Sequence, residues 1–354
     1  MSKFLSEGRR SLKPYTPGEQ PKTLNLIKLN TNESPFPPSE KAQAYAQQAL
    51  QRLQLYSDPE CTELTAKAAQ VLGIAPEEIL FTNGSDDILN FAFMAFCDET
   101  HPAVFPDITY GFYPVFAKLN HVPYTQIPLK EDFSINANDY IGLNQTIFIA
   151  NPNAPTGIAL PLDDIERIVQ SNPDSVVVID EAYVDFGAQS AISLIHKYDN
   201  LLVVQTFSKS RSMAGARLGF GVGCKALIQD LNTLKYSTNP YNINRMTRAA
   251  GVGALEDDAY FQSNCRKIME NRAWTTQQLR TLGFTVLDSA ANFLFASHPQ
   301  LDGKQLYLQL KQRGVLVRHF DSARLTNYNR ITIGSAEQMR ILIDTTKEIL
   351  EELL

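Results

Sequence analysis

The sequence predicts an α/β protein: a large domain with a mostly parallel sheet covered by helices on both faces, joined to a smaller α+β domain. Three observations predict it. Short apolar runs recur at Glu78–Thr82, Ala103–Phe105, Thr146–Ala150, Ser175–Ile179 and Leu201–Val204, as expected of strands buried on both faces. Helical periodicity falls between several of them, so strand and helix alternate as parallel crossover units require. After about residue 245 the pattern changes to short strands with flanking helices, which suggests a separate α+β unit. A chain of 354 residues exceeds one compact core, so one large domain plus a smaller one is the default.

Taken in order, residues 1–38 carry Pro14, Pro17, Pro21, Pro35, Pro37 and Pro38 and few periodic signals. They read as an extended arm ending in Asn30-Thr31-Asn32-Glu33-Ser34, of the kind that often crosses to a partner subunit. The large domain is expected over 39–245. Ser39 begins a helix with Tyr45, Ala46, Ala49, Leu50 and Leu53 on one face. Tyr56-Ser57-Asp58-Pro59 is a turn by composition. The strand Glu78–Thr82 leads through Asn83-Gly84-Ser85-Asp86-Asp87 into an apolar helix, Ile88–Phe96. Ser85 reads as its N-cap, which leaves first-turn N–H groups free to bind a phosphate. Tyr110 follows the strand Ala103–Phe105, where a flat cofactor could stack on it. Thr146–Ala150 runs into the turn formers Asn151-Pro152-Asn153-Ala154-Pro155-Thr156-Gly157, and the helix Leu162–Ser171 turns Ile165, Ile168 and Val169 inward.

The small domain is expected over 246–354. A long helix near Asp258 to Leu282 stops at Gly283 and could link the two domains. Short strands follow at Phe284–Leu287, Asn292–Phe295, Val315–Arg318 and Ile331–Ile333, with helices at Lys304–Arg313 and Ala336–Leu350. Arg318 and Arg330 lie at ends of two of these strands.

The chemistry concentrates between Ser175 and Gly221. One buried strand ends in Asp180 and the next opens into Thr206, Ser208 and Lys209. In doubly wound sheets ligands sit at the carboxyl ends of strands, so both would deliver polar groups to one crevice. A lysine that forms an imine with pyridoxal 5′-phosphate needs a carboxylate to keep the pyridine nitrogen protonated. Asp180 and Lys209 fit those roles, while Ser208 and the planar fork of Arg217 could hold the phosphate.

Composition removes other classes. A net charge of −6 argues against a general nucleic-acid or anionic-membrane partner. Cys61, Cys97, Cys224 and Cys265 form no CxxC pair, and the five histidines show no HExxH spacing, so neither a disulfide framework nor a metal is expected. The opening MSKFLSEGRRSLKPY lacks a signal-peptide core, and no apolar run approaches the roughly 18 residues of a membrane span. A cytoplasmic protein is expected.

The ordered set resembles the fold-type I pyridoxal-phosphate enzymes, which are aspartate-aminotransferase-like. Within their class II group it is similar to the histidinol-phosphate aminotransferases. The resemblance runs from Lys28-Leu29-Asn30-Thr31-Asn32-Glu33-Ser34-Pro35 through Tyr56-Ser57-Asp58, Gly84-Ser85-Asp86-Asp87 and Pro152-Asn153-Ala154-Pro155-Thr156-Gly157. It continues through Asp180-Glu181-Ala182-Tyr183, Thr206-Phe207-Ser208-Lys209, Ala214-Gly215-Ala216-Arg217-Leu218-Gly219 and Arg330-Ile331-Thr332-Ile333-Gly334.

The resemblance implies Lys209 as Schiff-base lysine and proton shuttle, Asp180 as pyridinium partner, and Tyr183 as donor to the cofactor's phenolic oxygen. It implies Tyr110 as the stacking aromatic and Ser85, Asp86, Ser208 and Arg217 as the phosphate cup. Tyr56 would reach that phosphate from the other subunit of a homodimer. Arg330 looks like the residue for the substrate carboxylate, with Arg318, Tyr15, Asn32 and Asn292 shaping a pocket for a phosphorylated substrate. The amino group would pass from L-glutamate to imidazole-acetol phosphate, giving L-histidinol phosphate in histidine biosynthesis. An aromatic-amino-acid aminotransferase or a phosphothreonine decarboxylase would share the scaffold. A non-catalytic cofactor-binding regulator would need a DNA-binding segment that the sequence lacks.

One departure stands out. The family usually has asparagine where this chain has Ala154, and that amide contacts the cofactor's phenolic oxygen. Either Tyr183 carries the contact alone, or Asn153 or a water substitutes.

Overall fold

A computed structural model describes residues 2–20 and 26–353; residues 21–25 of the expected arm, with Pro21, lie outside the described residues. The arm contributes β1 (Ile27–Lys28). The large unit follows as α1 (Glu40–Ala49), α2 (Thr62–Leu72), β2 (Ile79–Thr82), α3 (Ser85–Phe96), β3 (Ala103–Pro106), α4 (Tyr113–Leu119), β4 (Tyr124–Ile127) and β5 (Thr146–Ala150). It continues with α5 (Leu162–Ser171), β6 (Val177–Asp180), β7 (Leu201–Thr206), β8 (Gly219–Gly223), α6 (Lys225–Thr238) and α7 (Arg245–Leu255).

Its seven strands lie in the order β2-β8-β7-β6-β5-β3-β4. Strands β3 to β7 pair in parallel, and β8 runs antiparallel to both β2 and β7. The expected mostly parallel sheet is therefore present, with one reversed strand. Alternate side chains of each central strand enter opposite cores. Ile147, Ile149, Val177, Ile179, Leu201 and Val203 pack with α1, α2, α5 and α7, whereas Phe148, Val178, Leu202 and Val204 pack with α3, α4 and α6. Both faces are covered, which is why these strands read as unbroken apolar runs rather than alternating ones.

Three local expectations need correction. On α1, Ser39 caps the helix through Ala42 N–H, but the helix ends at Ala49, so Leu50 and Leu53 fall beyond it and are 45% and 53% exposed. On α3 the N-cap is Gly84, with φ 87°, and Ser85 is the first helical residue. Positive φ at that position suits glycine. The large core also extends past residue 245, because Ala250, Val252, Ala254 and Leu255 of α7 belong to it. A Cβ on Gly253 would meet the Lys41 carbonyl at 2.6 Å, so α7 lies backbone to backbone against α1.

The remaining elements are α8 (Asp258–Thr281), β9 (Thr285–Val286), β10 (Phe293–Ser297), α9 (Gly303–Gln312), β11 (Val315–Leu316), β12 (Arg318–His319), β13 (Tyr328–Thr332) and α10 (Ala336–Leu353). Helix α8 ends before Gly283, whose φ is 86°. The strand expected over Val315–Arg318 is divided. Its first half pairs in parallel with β1, and its second half joins the antiparallel sheet β12-β13-β10-β9. The arm is thereby stitched into the small core, where Leu29 is buried beside Val315 and Ile331. No helix among the described residues is long and apolar enough to cross a membrane.

Candidate active site

The carboxyl ends of β5, β6 and β7 and the N-terminus of α3 converge on a cavity of about 180 Å³. Asp180 closes β6, and Ser208 and Lys209 follow Thr206 at the end of β7. Lys209, Asp180, Tyr183, Ser208, Arg217, Ser85, Asp86 and Tyr110 all line this space. Ala154, Thr31, Tyr110, Tyr183 and Lys209 also line a wider cleft of about 710 Å³ that holds Tyr15, Asn32, Arg318 and Arg330. The two spaces thus share a wall, with the lysine on it.

At the floor, Asp180 Oδ2 accepts a hydrogen bond from Tyr113 Oη at 3.1 Å, and Oδ1 accepts from Ala182 N–H at 3.2 Å. Burial pushes the carboxyl up to about 7; the Tyr113 bond, the Ala182 N–H and the Lys209 charge pull the other way. Both direct partners are neutral donors, so a protonated ring nitrogen would find an uncompensated acid there. Lys209 Nζ donates to the Thr31 carbonyl at 3.2 Å and lies 5.7 Å from the Tyr183 ring centroid. Burial, then the charge of Arg330, lowers its amine to about 8. Desolvation disfavours the charged amine, which favours a nucleophilic lysine.

The anion end is built at the start of α3. Gly219 of β8 sits against it so closely that a Cβ there would meet Ser85 N at 2.2 Å. Arg217, itself in left-handed backbone with φ 56°, bonds Asp86 Oδ2 at 3.1 Å and reaches Ser208 Oγ at 3.4 Å. Thr206 Oγ1 donates to Ser208 Oγ at 2.9 Å. Tyr110 Oη donates to the other oxygen of Asp86 at 2.8 Å, and burial followed by this acid holds its phenol far above its usual range. Asp86 therefore fastens both Tyr110 and Arg217.

On the opposite wall, Asn32 Nδ2 donates to Tyr183 Oη at 3.0 Å. Arg330 donates to the Asn30 carbonyl at 3.0 Å and lies 5.4 Å from the Phe293 ring. Its buried Nε has no protein partner among the described residues, so part of its donor set is free for a ligand. Arg318 reaches back to the Thr16 and Pro17 carbonyls, both at 3.3 Å. Tyr15 stacks on Phe112 with centroids 4.2 Å apart.

Three residues singled out in the sequence lie outside the cavity and the cleft in the single chain. Asn153 does not line the cavity: its amide oxygen accepts from Thr109, and its nitrogen donates to the Ile108 carbonyl and Thr156 Oγ1. It ties down the loop after β5, and the neighbouring Ala154 faces the site with a methyl group. Asn292 lies behind the cleft, donating to the Asn32 carbonyl at 3.0 Å. Tyr56 is 81% exposed and stacks on Tyr241, away from its own chain's cavity. Sequence reasoning missed Tyr113 and Thr332. Thr332 lies inside the Arg330-Ile331-Thr332-Ile333-Gly334 stretch but is given no role there, and Tyr113 carries no motif, although it stands one turn after Tyr110, whose carbonyl accepts its N–H at 3.2 Å.

Fold and site together define an aminotransferase: the chain belongs to the aminotransferase class I and II family, which matches residues 25–345. Within that family it is 50% identical over 353 residues to the histidinol-phosphate aminotransferase of Brachyspira hyodysenteriae, covering 99% of this chain and 100% of that one. The histidinol-phosphate aminotransferase of Clostridium botulinum is 46% identical over 354 residues, covering 100% of both. A histidinol-phosphate aminotransferase from Sinorhizobium meliloti, solved in complex with pyridoxal-5′-phosphate, superposes with a TM-score of 0.85. It covers 93% of this chain and 92% of its own at 24% identity, so it shows the shared fold.

Proposed function

We propose that the chain is a pyridoxal 5′-phosphate-dependent histidinol-phosphate aminotransferase, passing the amino group of L-glutamate to imidazole-acetol phosphate to form L-histidinol phosphate. The observation that carries this reading is the buried Lys209 amine, lowered to about 8, in one cavity with Asp180 and Arg217. Identity to histidinol-phosphate aminotransferases over the whole chain favours it over an aromatic-amino-acid aminotransferase or a phosphothreonine decarboxylase.

The residues fit the cofactor. A buried acid without a cationic partner suits a pyridinium nitrogen, and the long contacts of Arg217 to Ser208 leave donors for a phosphate. When bound, the cofactor supplies an electron sink for charge developing at the substrate's amine-bearing carbon.

Arg217, Ser208 and the first-turn N–H groups of Ser85 and Asp86 bind the phosphate. Asp180 holds the ring nitrogen's proton, and Tyr110 packs against the ring. Tyr183 donates to the phenolic oxygen. Arg330 grips the substrate carboxylate, while Arg318 and Tyr15 orient the distal phosphate. Lys209, with an amine near neutrality, would carry the proton between the substrate's amine-bearing carbon and the cofactor carbon that takes up the amino group, acting as base and then as acid. The working form is a cytoplasmic homodimer in which Tyr56 completes the partner's phosphate site. Its exposure beside Leu50, Leu53 and Leu55 supports that arrangement.

An absorbance titration tests the reading. L-Glutamate should convert the visible band of the cofactor-loaded protein, and imidazole-acetol phosphate should restore it. Failure of the first step removes the aminotransferase; restoration by an aromatic keto acid alone removes the substrate assignment.

A further inference from the structure

The phenol of Tyr183 is the end of a buried hydrogen-bond chain that starts on the other domain. Main-chain N–H of Asn32 donates to Thr332 Oγ1 at 3.0 Å. Thr332 Oγ1 in turn donates to Asn32 Oδ1 at 3.0 Å, and Asn32 Nδ2 donates to Tyr183 Oη at 3.0 Å. Asn32 and Thr332 are both buried, and Thr332 Oγ1 has no further polar partner among the described residues.

Direction along this chain follows from proton counting. A main-chain N–H can only donate, so Thr332 Oγ must accept from it. With its amide reversed, Asn32 would donate to Thr332 too, and the threonine proton would be left buried without an acceptor. That arrangement carries a desolvation penalty the observed one avoids. Asn32 Oδ1 therefore faces Thr332 and Nδ2 faces Tyr183. The phenol receives a hydrogen bond from behind, and its own proton is left to point into the cavity. The ring is also clamped sideways, by Phe293 edge-on at 5.0 Å and by Ala154.

We propose that Thr332 is a positioning residue for the transamination, one that sets the Asn32 amide so that Tyr183 presents its proton to the cofactor's phenolic oxygen. Ala154 has no donor to share this task. The β13 strand that carries Thr332 belongs to the small domain and Tyr183 to the large one, so the donor is aligned only when the two domains are seated together.

This inference rests on the proposed cofactor reading, and the experiment separates the two. A hydrogen bond donated to the phenolic oxygen drains charge from it, so the adjacent Lys209 nitrogen releases its proton at lower pH. In Thr332→Val, of nearly the same shape, the midpoint of the pH-dependent visible band should rise by roughly half a unit to one unit, the equivalent of one net hydrogen bond. Thr332→Ser keeps the hydroxyl and should restore the wild-type midpoint. Thr332→Ala takes the place of the valine variant if that protein does not fold. A wild-type band whose midpoint is unmoved in the hydroxyl-free variant, or moved equally by serine, overturns the proposal alone. A wild-type protein with no such band overturns the cofactor reading and the proposal with it.

Discussion

Tyr113 Oη and Asp180 Oδ2 lie 3.1 Å apart in the interior, joining α4 to the end of β6 beneath the candidate site. A carboxyl raised to about 7 takes up a proton in the folded state that it lacks in the unfolded chain. Between its ordinary value and about 7 the folded state binds more protons, so its contribution to stability falls as pH rises through that window. Tyr113 opposes this by favouring the ionised form. In cofactor-free protein, Tyr113→Phe should extend the loss to higher pH. Its deficit in urea melts should be small at pH 5 and approach about 1 kcal/mol at pH 8, bounded by the roughly 1.4 kcal/mol that one pH unit above a value near 7 can supply. An equal deficit at both pH values would show that the hydroxyl does not act on Asp180.

The Lys209 amine, lowered to about 8 by burial and then by Arg330, sets a second pH dependence. Only the neutral amine attacks an aldehyde. Covalent capture of pyridoxal phosphate by the cofactor-free protein should accelerate with rising pH, with a midpoint near 8 that stopped-flow absorbance can locate. A rate still climbing at pH 10, as for an ordinary lysine, would contradict the environment described. Lys209→Ala should bind the cofactor without covalent capture and show no turnover.

How much of this was legible beforehand depended on whether a residue's role was local. Thr146–Ala150 and Leu162–Ser171 have the expected bounds, because burial on both faces or on one stripe writes itself directly into apolar spacing. Asp180, Lys209 and Arg217 could be found because each follows a strand end or lies in a motif. The strand Gly219–Gly223 could not, since a glycine-rich run has little strand propensity. It is held by pairing with both β2 and β7, and its first glycine leaves room for the α3 N-terminus. The sequence offers Asn153 as one substitute for the amide missing at Ala154, and a turn-rich loop does not reveal which of two neighbours faces inward. Thr332 and Tyr113 act through contacts 300 and 67 residues away in sequence, and no local pattern records such a pairing.

Gly219 supplies the third test. A Cβ at that position would stand 2.2 Å from Ser85 N and 2.5 Å from the Gly84 carbonyl carbon. These are backbone atoms and cannot rotate away, so α3 must shift outward. Gly219→Ala should lose about 1–3 kcal/mol of stability, as overpacked sites do, and should also bind inorganic phosphate and cofactor more weakly. Gly215→Ala, where a Cβ meets nothing within 4 Å, is the control. Cofactor affinity unchanged in Gly219→Ala would separate the α3 N-terminus from phosphate binding.

Tyr56 gives the last test, because its position distinguishes a self-contained site from a shared one. The loop that carries it is well held: Arg245 bonds the Tyr56 carbonyl at 2.6 Å, Ser57 Oγ bonds the Ile243 carbonyl at 2.7 Å, and Arg248 meets Asp58 at 3.1 Å. Fixed this way, the phenol projects outward at 81% exposure, ready for a neighbour. If it serves the partner's phosphate site, a dimer pairing a Lys209→Ala subunit with a Tyr56→Ala subunit keeps one complete site. The lysine comes from the second subunit and the tyrosine from the first. If Tyr56 served its own subunit, the same dimer would contain none. Co-expression at equal levels makes about half the dimers mixed, so about a quarter of the wild-type sites should be restored. Turnover of the purified mixture should therefore exceed the average of the two parent homodimers; turnover equal to that average would place Tyr56 outside the partner's site.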